Sequence, residues 1–331
     1  MADVDVTSIN EAFLSVYGQE VLLAYNEASQ IKDKCMNRTI ANGLSATFPT
    51  FTKETAKLHT AGESVFSGTG ELGTSIEDGK KVISIDKLLF ASQFIDDLEE
   101  AKAHFDIRSA YSSQTGAAMA MQHDAMLLAH LANGATTTTE VSSTDASVSG
   151  SSSFLDSTAK IKEMFNEAAI ALDLKDVPAG DRCMIVRPYE YYSILQEDGV
   201  LGSDFNSTGD RSKGYQNFYY MGFEVIPMGL MQDFYNRAAA TLTGTDAGHE
   251  TGKGVLNFGG VALDNPTGLD ASLMGALAFH KSAAATVTLK GLSSEVNYVP
   301  ERFGNLLSTR TGIGVGTLRP DSSVRINLAQ A

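Results

Sequence analysis

KKVISIDKLLFASQFIDDLEEAKAHFDIRSAYSSQTGAAMAMQHDAMLLAHLAN, residues 80–133, is the stretch around which the chain is organised. It begins as an extended run. Ile83 and Ile85 alternate with Ser84 and Asp86, the two-residue period of a half-buried strand. Leu88, Leu89 and Phe90 follow with no polar break, so the second half is expected to be covered on both faces. Helix starts come next. Asp96 can accept hydrogen bonds from free backbone N–H groups, and Glu99 stands three places on. A second start is Asp106. Beyond it Tyr111, Ala118, Ala125, Leu128 and Ala132 recur at helical spacing. Asn133 and Gly134 form a stop signal. A helix over that interval is about 40 Å long, well above the usual three or four turns. Its many small residues, among them Ala110, Gly116, Ala117, Ala120 and Ala129, let other backbones approach closely. Periodicity alone fits either a core helix of an ordinary domain or a long spine crossed by several layers.

The chain of 331 residues is long enough for two domains or one elaborated domain. Hydrophobic residues make up 43% and charged residues 20%, as in a globular protein. No apolar run reaches the ~18 residues of a membrane helix. The start, MADVDVTSINEAF, lacks the basic-then-apolar order of a signal peptide, so the chain is expected to stay in the cytosol where it is made. Cys35 and Cys183 are the only cysteines, which excludes a disulfide framework and a Cys-rich zinc site and leaves two buried thiols. Without a secretory signal, the sequons at Asn37 and Asn206 are chance matches. The formal net charge is −15 and no Lys/Arg-rich run exists, which argues against a dedicated nucleic-acid binder. An acidic lining is compatible with a container whose DNA must leave again, although many soluble proteins share this balance.

The segment 85–132, IDKLLFASQFIDDLEEAKAHFDIRSAYSSQTGAAMAMQHDAMLLAHLA, resembles the strand and spine helix of the major capsid proteins of T7-like podoviruses, which have the HK97-type capsid fold. MGFEVIPM at 221–228 and ALAFHKSAAATVTL at 276–289 fit the same pattern, and the resemblance runs in order from about residue 20 to the C-terminus. It is a likeness of order and character, not a catalytic fingerprint. It implies an α+β fold of the HK97-like major capsid type. Its parts are an N-terminal arm (1–45), an E-loop (46–79), a P-domain strand and spine helix with a Ser/Thr-rich linker (80–153), an A-domain (154–272) and C-terminal strands completing both domains (273–331).

The rest of the chain reads around that frame. Ser8 and Glu11 make a capping box, followed at helical spacing by Phe13, Val16, Tyr17, Val21, Ala24 and Tyr25, with Gly18 a possible break. As a terminal helix this segment docks on its own domain; as a capsid arm it lies against neighbouring subunits, which the resemblance favours. Ala46, Phe48 and Phe51 have β spacing around Pro49, and 55–60 is a further candidate strand. A long Gly- and acid-rich stretch follows, unusual inside a compact domain. A two-stranded ribbon there is expected to need a neighbour for its order. The low-complexity stretch 134–153 reads as a surface linker. Between 154 and 230 the order is helix and strand: Ile161, Phe165, Ala168 and Leu172 on a helix face, a buried strand at 183–186, a helix from Pro188 carrying Tyr191, Tyr192 and Leu195, and a strand at 223–226. Residues 236–260 are Gly-rich, and the resemblance places them near an A-domain tip around a capsomer axis. Strands are expected at 273–279 and 285–289, 302–319 carries no clear signal, and Val324, Ile326 and Leu328 alternate as a last strand.

Catalytic patterns are lacking. Gly68, Gly70 and Gly73 match G-x-G-x-x-G, but the turn signal at Asp78-Gly79 replaces the helix that a dinucleotide site needs. His123 and His130 are seven apart, whereas a zincin needs histidines at i and i+4 with an intervening Glu. No nucleophile elbow, P-loop or Cys–His arrangement is present. No catalytic, cofactor-binding or metal residue is therefore assigned, and no enzyme activity or cofactor is expected. Some capsids of this fold join subunits through Lys and Asn, helped by a Glu; Lys53 or Lys57 with Asn297 or Asn305 could serve, but no motif marks such a link and T7-like capsids are not expected to use it. The resemblance implies a shell protein whose partners are copies of itself in hexamers and pentamers, a scaffolding protein, a portal protein, packaged dsDNA and a cement protein, with no membrane. It implies a place in the virion after assembly in the host cytoplasm. The alternatives are an encapsulin-like bacterial compartment shell and, in another class, a cytosolic α/β nucleotide-binding enzyme using the 68–73 loop.

Overall fold

The computed structural model describes residues 6–51, 58, 78–85, 88–96, 98, 102, 107–135, 137–142, 158–196, 218–231, 256–258, 261–263 and 274–329. Helix α1 (Val6–Ala28) is continuous through Gly18 and starts two residues before Ser8. The spine is helix α2 (Ile107–Gly134), which ends where the Asn-Gly pair predicts. Ahead of it, the Leu98 backbone N–H donates to Asp96 Oδ1 at 2.8 Å, the expected cap.

The extended run of 80–96 is two strands, not one. β2 (Ser45–Phe51) pairs antiparallel with β3 (Asp78–Ser84), while β4 (Leu88–Asp96) joins a different, four-stranded sheet. That sheet has β1 (Met36–Thr39), β12 (Ala284–Val299), β13 (Gly304–Thr317) and β4 in spatial order. Among the described residues, helices cover one of its faces and leave the other open. Leu89, Ala91 and Ile95 of β4 therefore turn inward against α1 and α2, and Leu88, Phe90 and Phe94 turn outward. Among the described residues nothing supplies the expected cover on the outer side: Leu88 is 48% and Phe90 70% exposed.

The long β12–β13 hairpin was only half legible. Serines, threonines and glycines interrupt its apolar alternation. The glycines have a packing reason: a Cβ on Gly314 would lie 2.5 Å from the Ser84 carbonyl oxygen, and one on Gly316 would lie 2.9 Å from Ile83 Cγ1. Bare backbone on that face lets β3 lie close across β13. Ala46, Phe48, Ile83 and Ile85 pack there on Ala285 and Val287, so the base of the β2–β3 ribbon is anchored on its own chain.

The six-stranded sheet runs β5 (Thr137–Ser142), β14 (Ser323–Ala329), β11 (Met274–His280), β6 (Arg182–Val186), β8 (Phe223–Pro227) and β7 (Phe218–Tyr220). Strand β5 lies inside the stretch read as a linker. Its threonines suit a strand, and β14 offers it a parallel edge. A further hairpin pairs β9 (Leu256–Phe258) with β10 (Val261–Leu263). Both faces of the six-stranded sheet are covered. Ile185, Ile226, Leu277 and Phe279 pack on Leu127, Leu128 and Leu131 of α2. The alternate residues Met184, Val186, Phe223, Val225, Ala276 and Ala278 pack on Ile161, Met164, Phe165 and Leu172 of helix α3 (Thr158–Asp173) and on Tyr191 of helix α4 (Pro188–Gln196). This explains why β6 and β8 are buried throughout. The spine thus carries one sheet on its C-terminal half and the other, through Met119 and Ala120, further toward its N-terminus. Ala118, expected on its inner face, is exposed; Thr115, Gly116, Met119 and Ala120 take that face.

Candidate functional site

The residues singled out for chemistry do not converge. The 68–73 loop, Lys53, Lys57, His59, His104 and His249 lie outside the described residues. Among the described residues, no three His, Cys, Asp or Glu side chains group as metal ligands. No described helix is long and apolar enough to cross a membrane. Asn297 and Asn305 sit near the end of the β12–β13 hairpin, opposite Leu306 and Tyr298 respectively. Tyr191 is fully buried and meets Tyr192 edge-on, so it serves the core.

His123 has a structural role. Burial pushes its pKa down to about 4 and keeps the imidazole neutral. Burial pushes the Tyr25 phenol upward, with Asp124 and Asp33 adding to the effect, so the phenol keeps its proton. Tyr25 Oη and His123 Nδ1 share a hydrogen bond of 2.6 Å, and Thr286 Oγ1 and His123 Nε2 share one of 3.2 Å, the neutral ring donating at one nitrogen and accepting at the other. Three elements, α1, α2 and β12, meet at this ring. His130, seven residues on, is lowered by burial alone.

The next residue, Asp124, holds the strap that follows α1. Its carboxylate accepts from Ser29 Oγ at 3.0 Å and from the Gln30 backbone N–H at 2.8 Å. Burial raises its pKa, against the lowering effect of the backbone N–H groups of Gln30, Ile31 and Lys32. Further along, Lys34 Nζ donates to both carboxylate oxygens of Glu224 on β8, at 2.5 and 2.6 Å. Cys183 is the register partner of Glu224, and both cysteines are free and buried. Burial raises the thiols to about 12 for Cys35 and about 11 for Cys183. The strap thus ties α1 to the spine and to the six-stranded sheet. Only the Asp124 neighbourhood was visible in the sequence; Tyr25 and Glu224 lie 98 and 190 residues from their partners.

What the fold leaves outside is surface. Val16, Leu22 and Leu23 of α1, Leu88 and Phe90 of β4, and Tyr298 and Phe303 at the hairpin end are large and exposed. Beside β4 a groove of about 390 Å³ runs along α2 between Leu88, Phe90, Ala118, Met119 and Gln122. Strand β4 is also a sheet edge, nine residues long and without Lys or Pro. Monomeric proteins usually blunt such edges. Large exposed apolar side chains beside an open strand edge suit contacts with other chains.

Comparison with known proteins points the same way. The family model described as "Gp10A-like: Major capsid protein" matches residues 47–327. The chain is 31% identical over 329 residues to the major capsid protein of Escherichia phage T7, covering 94% of this chain and 90% of that protein. It is 31% identical over 336 residues to the major capsid protein of Enterobacteria phage T3, covering 96% of this chain and 91% of that protein. A chain from the capsid structure of cyanophage P-SCSP1u superimposes with a TM-score of 0.63 at 24% identity, over 90% of this chain and 87% of that one.

Proposed function

This chain belongs to the Gp10A-like major capsid protein family of T7-like phages and has the HK97-type capsid fold, and from that premise we propose how it builds a shell. Copies assemble into hexamers and pentamers, and these close into an icosahedral container around viral dsDNA. The observation that carries the reading is the family match along 47–327. The apolar surface left open on α1 and β4 supports it, because obligate interfaces are more apolar than ordinary surface and commonly bury about 2,000 Å² or more.

In this reading 1–45 is the arm, 46–79 the E-loop, 80–153 the P-domain strand, spine and linker, 154–272 the A-domain, and 273–331 the strands that complete both. The inner face of α1 stays on its own spine through Tyr17, Val21 and Tyr25, and its outer face meets neighbours. The base of the E-loop is fixed on β12 and its far part reaches an adjacent subunit. Assembly takes place in the host cytoplasm with a scaffolding protein, a portal at one vertex and a cement protein outside. The acidic balance, −15, leaves packaged DNA unattached. The work is mechanical, with no catalytic step.

Electron microscopy of the purified chain, alone and with its scaffold, tests this. Closed shells or hexagonal capsomers are expected. A uniform small particle under both conditions would refute it. Deleting 52–78 is expected to leave a folded subunit that forms no shells; normal shells from that variant would remove the role given to the loop.

A further inference from the structure

The tripeptide Ala-Asn-Gly occurs twice in the chain, at 41–43 and at 132–134. In an Asn-Gly pair the side-chain amide can meet the next backbone nitrogen with little hindrance, because glycine has no Cβ to stand in the way. The fold puts the two copies in opposite settings. At 132–134 the backbone closes helix α2, where each N–H is aimed at the carbonyl four residues back and away from its neighbour's side chain. Gly134 is also clamped. A Cβ there would lie 2.3 Å from Thr317 Cγ2, and Thr317 Oγ1 donates to the His130 carbonyl oxygen at 2.8 Å.

At 41–43 the chain is an open bend between β1 and β2, with Ala41, Asn42 and Gly43 all exposed. Gly43 has a φ of +114°, and a Cβ on it would meet nothing nearer than the Ser45 carbonyl oxygen at 3.9 Å. Space around its nitrogen is therefore open. The ends of the bend are fixed. The Ile40 backbone N–H donates to the Thr288 carbonyl oxygen, and the Ile85 N–H to that of Leu44, each at 2.9 Å. Arg38 Nη1 reaches across from β1 to the Thr47 carbonyl oxygen on β2, also at 2.9 Å.

We propose that Asn42 is a site of spontaneous deamidation, and that Asn133, in the same tripeptide, is protected by the fold. The Gly43 backbone nitrogen attacks the side-chain carbonyl carbon of Asn42. A new C–N bond closes a cyclic imide, and the amide nitrogen leaves with the Gly43 proton as ammonia. Water then opens the imide at either carbonyl, giving aspartate or isoaspartate. Both products add a negative charge, and isoaspartate also routes the backbone through an extra methylene group. With its two ends held, the bend confines that change to the link between β1 and the β2–β3 ribbon.

Incubation of the purified full chain at mildly alkaline pH, followed by a brief acidic tryptic digest and mass spectrometry, tests this. Asn42 falls in the tryptic peptide 39–53 and Asn133 in 109–160. Deamidation at Asn42 is expected to be at least about tenfold faster than at Asn133, which must wait for the helix end to open. In urea the two are expected to react at similar rates. Isoaspartyl methyltransferase is expected to label 39–53 of the incubated chain, and Asn42→Gln to lose both the mass gain and the label. Equal rates at Asn42 and Asn133 in the folded chain would overturn the proposal. A difference that persists in urea would overturn the protection given to Asn133, and a mass gain that survives Asn42→Gln would overturn the site.

Discussion

Tyr25 Oη and His123 Nδ1 share a hydrogen bond of 2.6 Å, with the two rings parallel to within 1°. Burial disfavours the imidazolium, so the pair is held with the ring neutral. One terminal helix is thereby pinned to the spine by a ring whose charge state depends on the fold.

Acid should loosen that pin. The pKa of His123 in the fold is about 4, below its ordinary 6.5. The unfolded chain therefore binds more protons between these values, and the stability held by neutral His123 is lost as pH falls from about 6.5 through about 4. A shift of that size corresponds to about 3 kcal/mol at most. Asp124 acts in the opposite direction: its raised pKa means that its protonation relieves a burial cost. Lys32 disfavours the imidazolium, and the strap also brings Asp33 near. Urea melts of wild type and His123→Asn at pH 7 and 4.5 check this; wild type is expected to lose more stability on acidification than the variant does. Tyr25→Phe, which leaves Nδ1 buried without its hydrogen-bond partner, should cost about 1–3 kcal/mol at pH 7.

Gly116→Ala should destabilise despite the better helix propensity of alanine, worth about 1 kcal/mol. A Cβ at Gly116 would lie 2.6 Å from the Val21 carbonyl oxygen and 2.7 Å from Ala24 Cβ, where α1 crosses the spine. Overpacking of this kind costs roughly 1–3 kcal/mol. Denaturant melts together with faster tryptic cleavage at Lys32 and Lys34 are the expected signature. A variant as stable as wild type would show that the crossing relaxes freely.

Lys34 and Glu224 should show strong coupling. Glu224 keeps only 12% of its side-chain surface in water and Lys34 keeps 29%. Removing the lysine leaves a largely buried carboxylate without its cation, a loss of about 1.5–3 kcal/mol. In a double-mutant cycle with Lys34→Ala and Glu224→Ala, the coupling is expected to survive added salt better than that of an exposed pair would.

Cys35 and Cys183 should react with a thiol reagent only as fast as the fold opens. Both are buried, and their pKa values of about 12 and about 11 leave almost no thiolate at neutral pH. Fast labelling of the folded chain at pH 7 would contradict that environment.

Local physics written in neighbouring residues was enough to read much of this protein. The period of 107–134 and its Asn-Gly stop define the spine. The stripe Ile161, Phe165, Ala168 and Leu172 defines a helix face that the structure buries completely. The order of such segments carried the family resemblance, and so the fold and the broad function. What neighbouring residues do not encode is which layer covers which face. Leu88 and Phe90 look doubly buried in sequence, yet their outer side is open, because only tertiary structure decides where helices lie on a sheet. The threonines of 137–142 become a strand only because β14 presents an edge to them. The glycines at 314 and 316 look like breaks in a pattern until β3 is laid across them. Likewise Tyr25 with His123, and Lys34 with Glu224, are ordinary residues until folding removes the water between them and makes each pair's alternative an unsatisfied buried group.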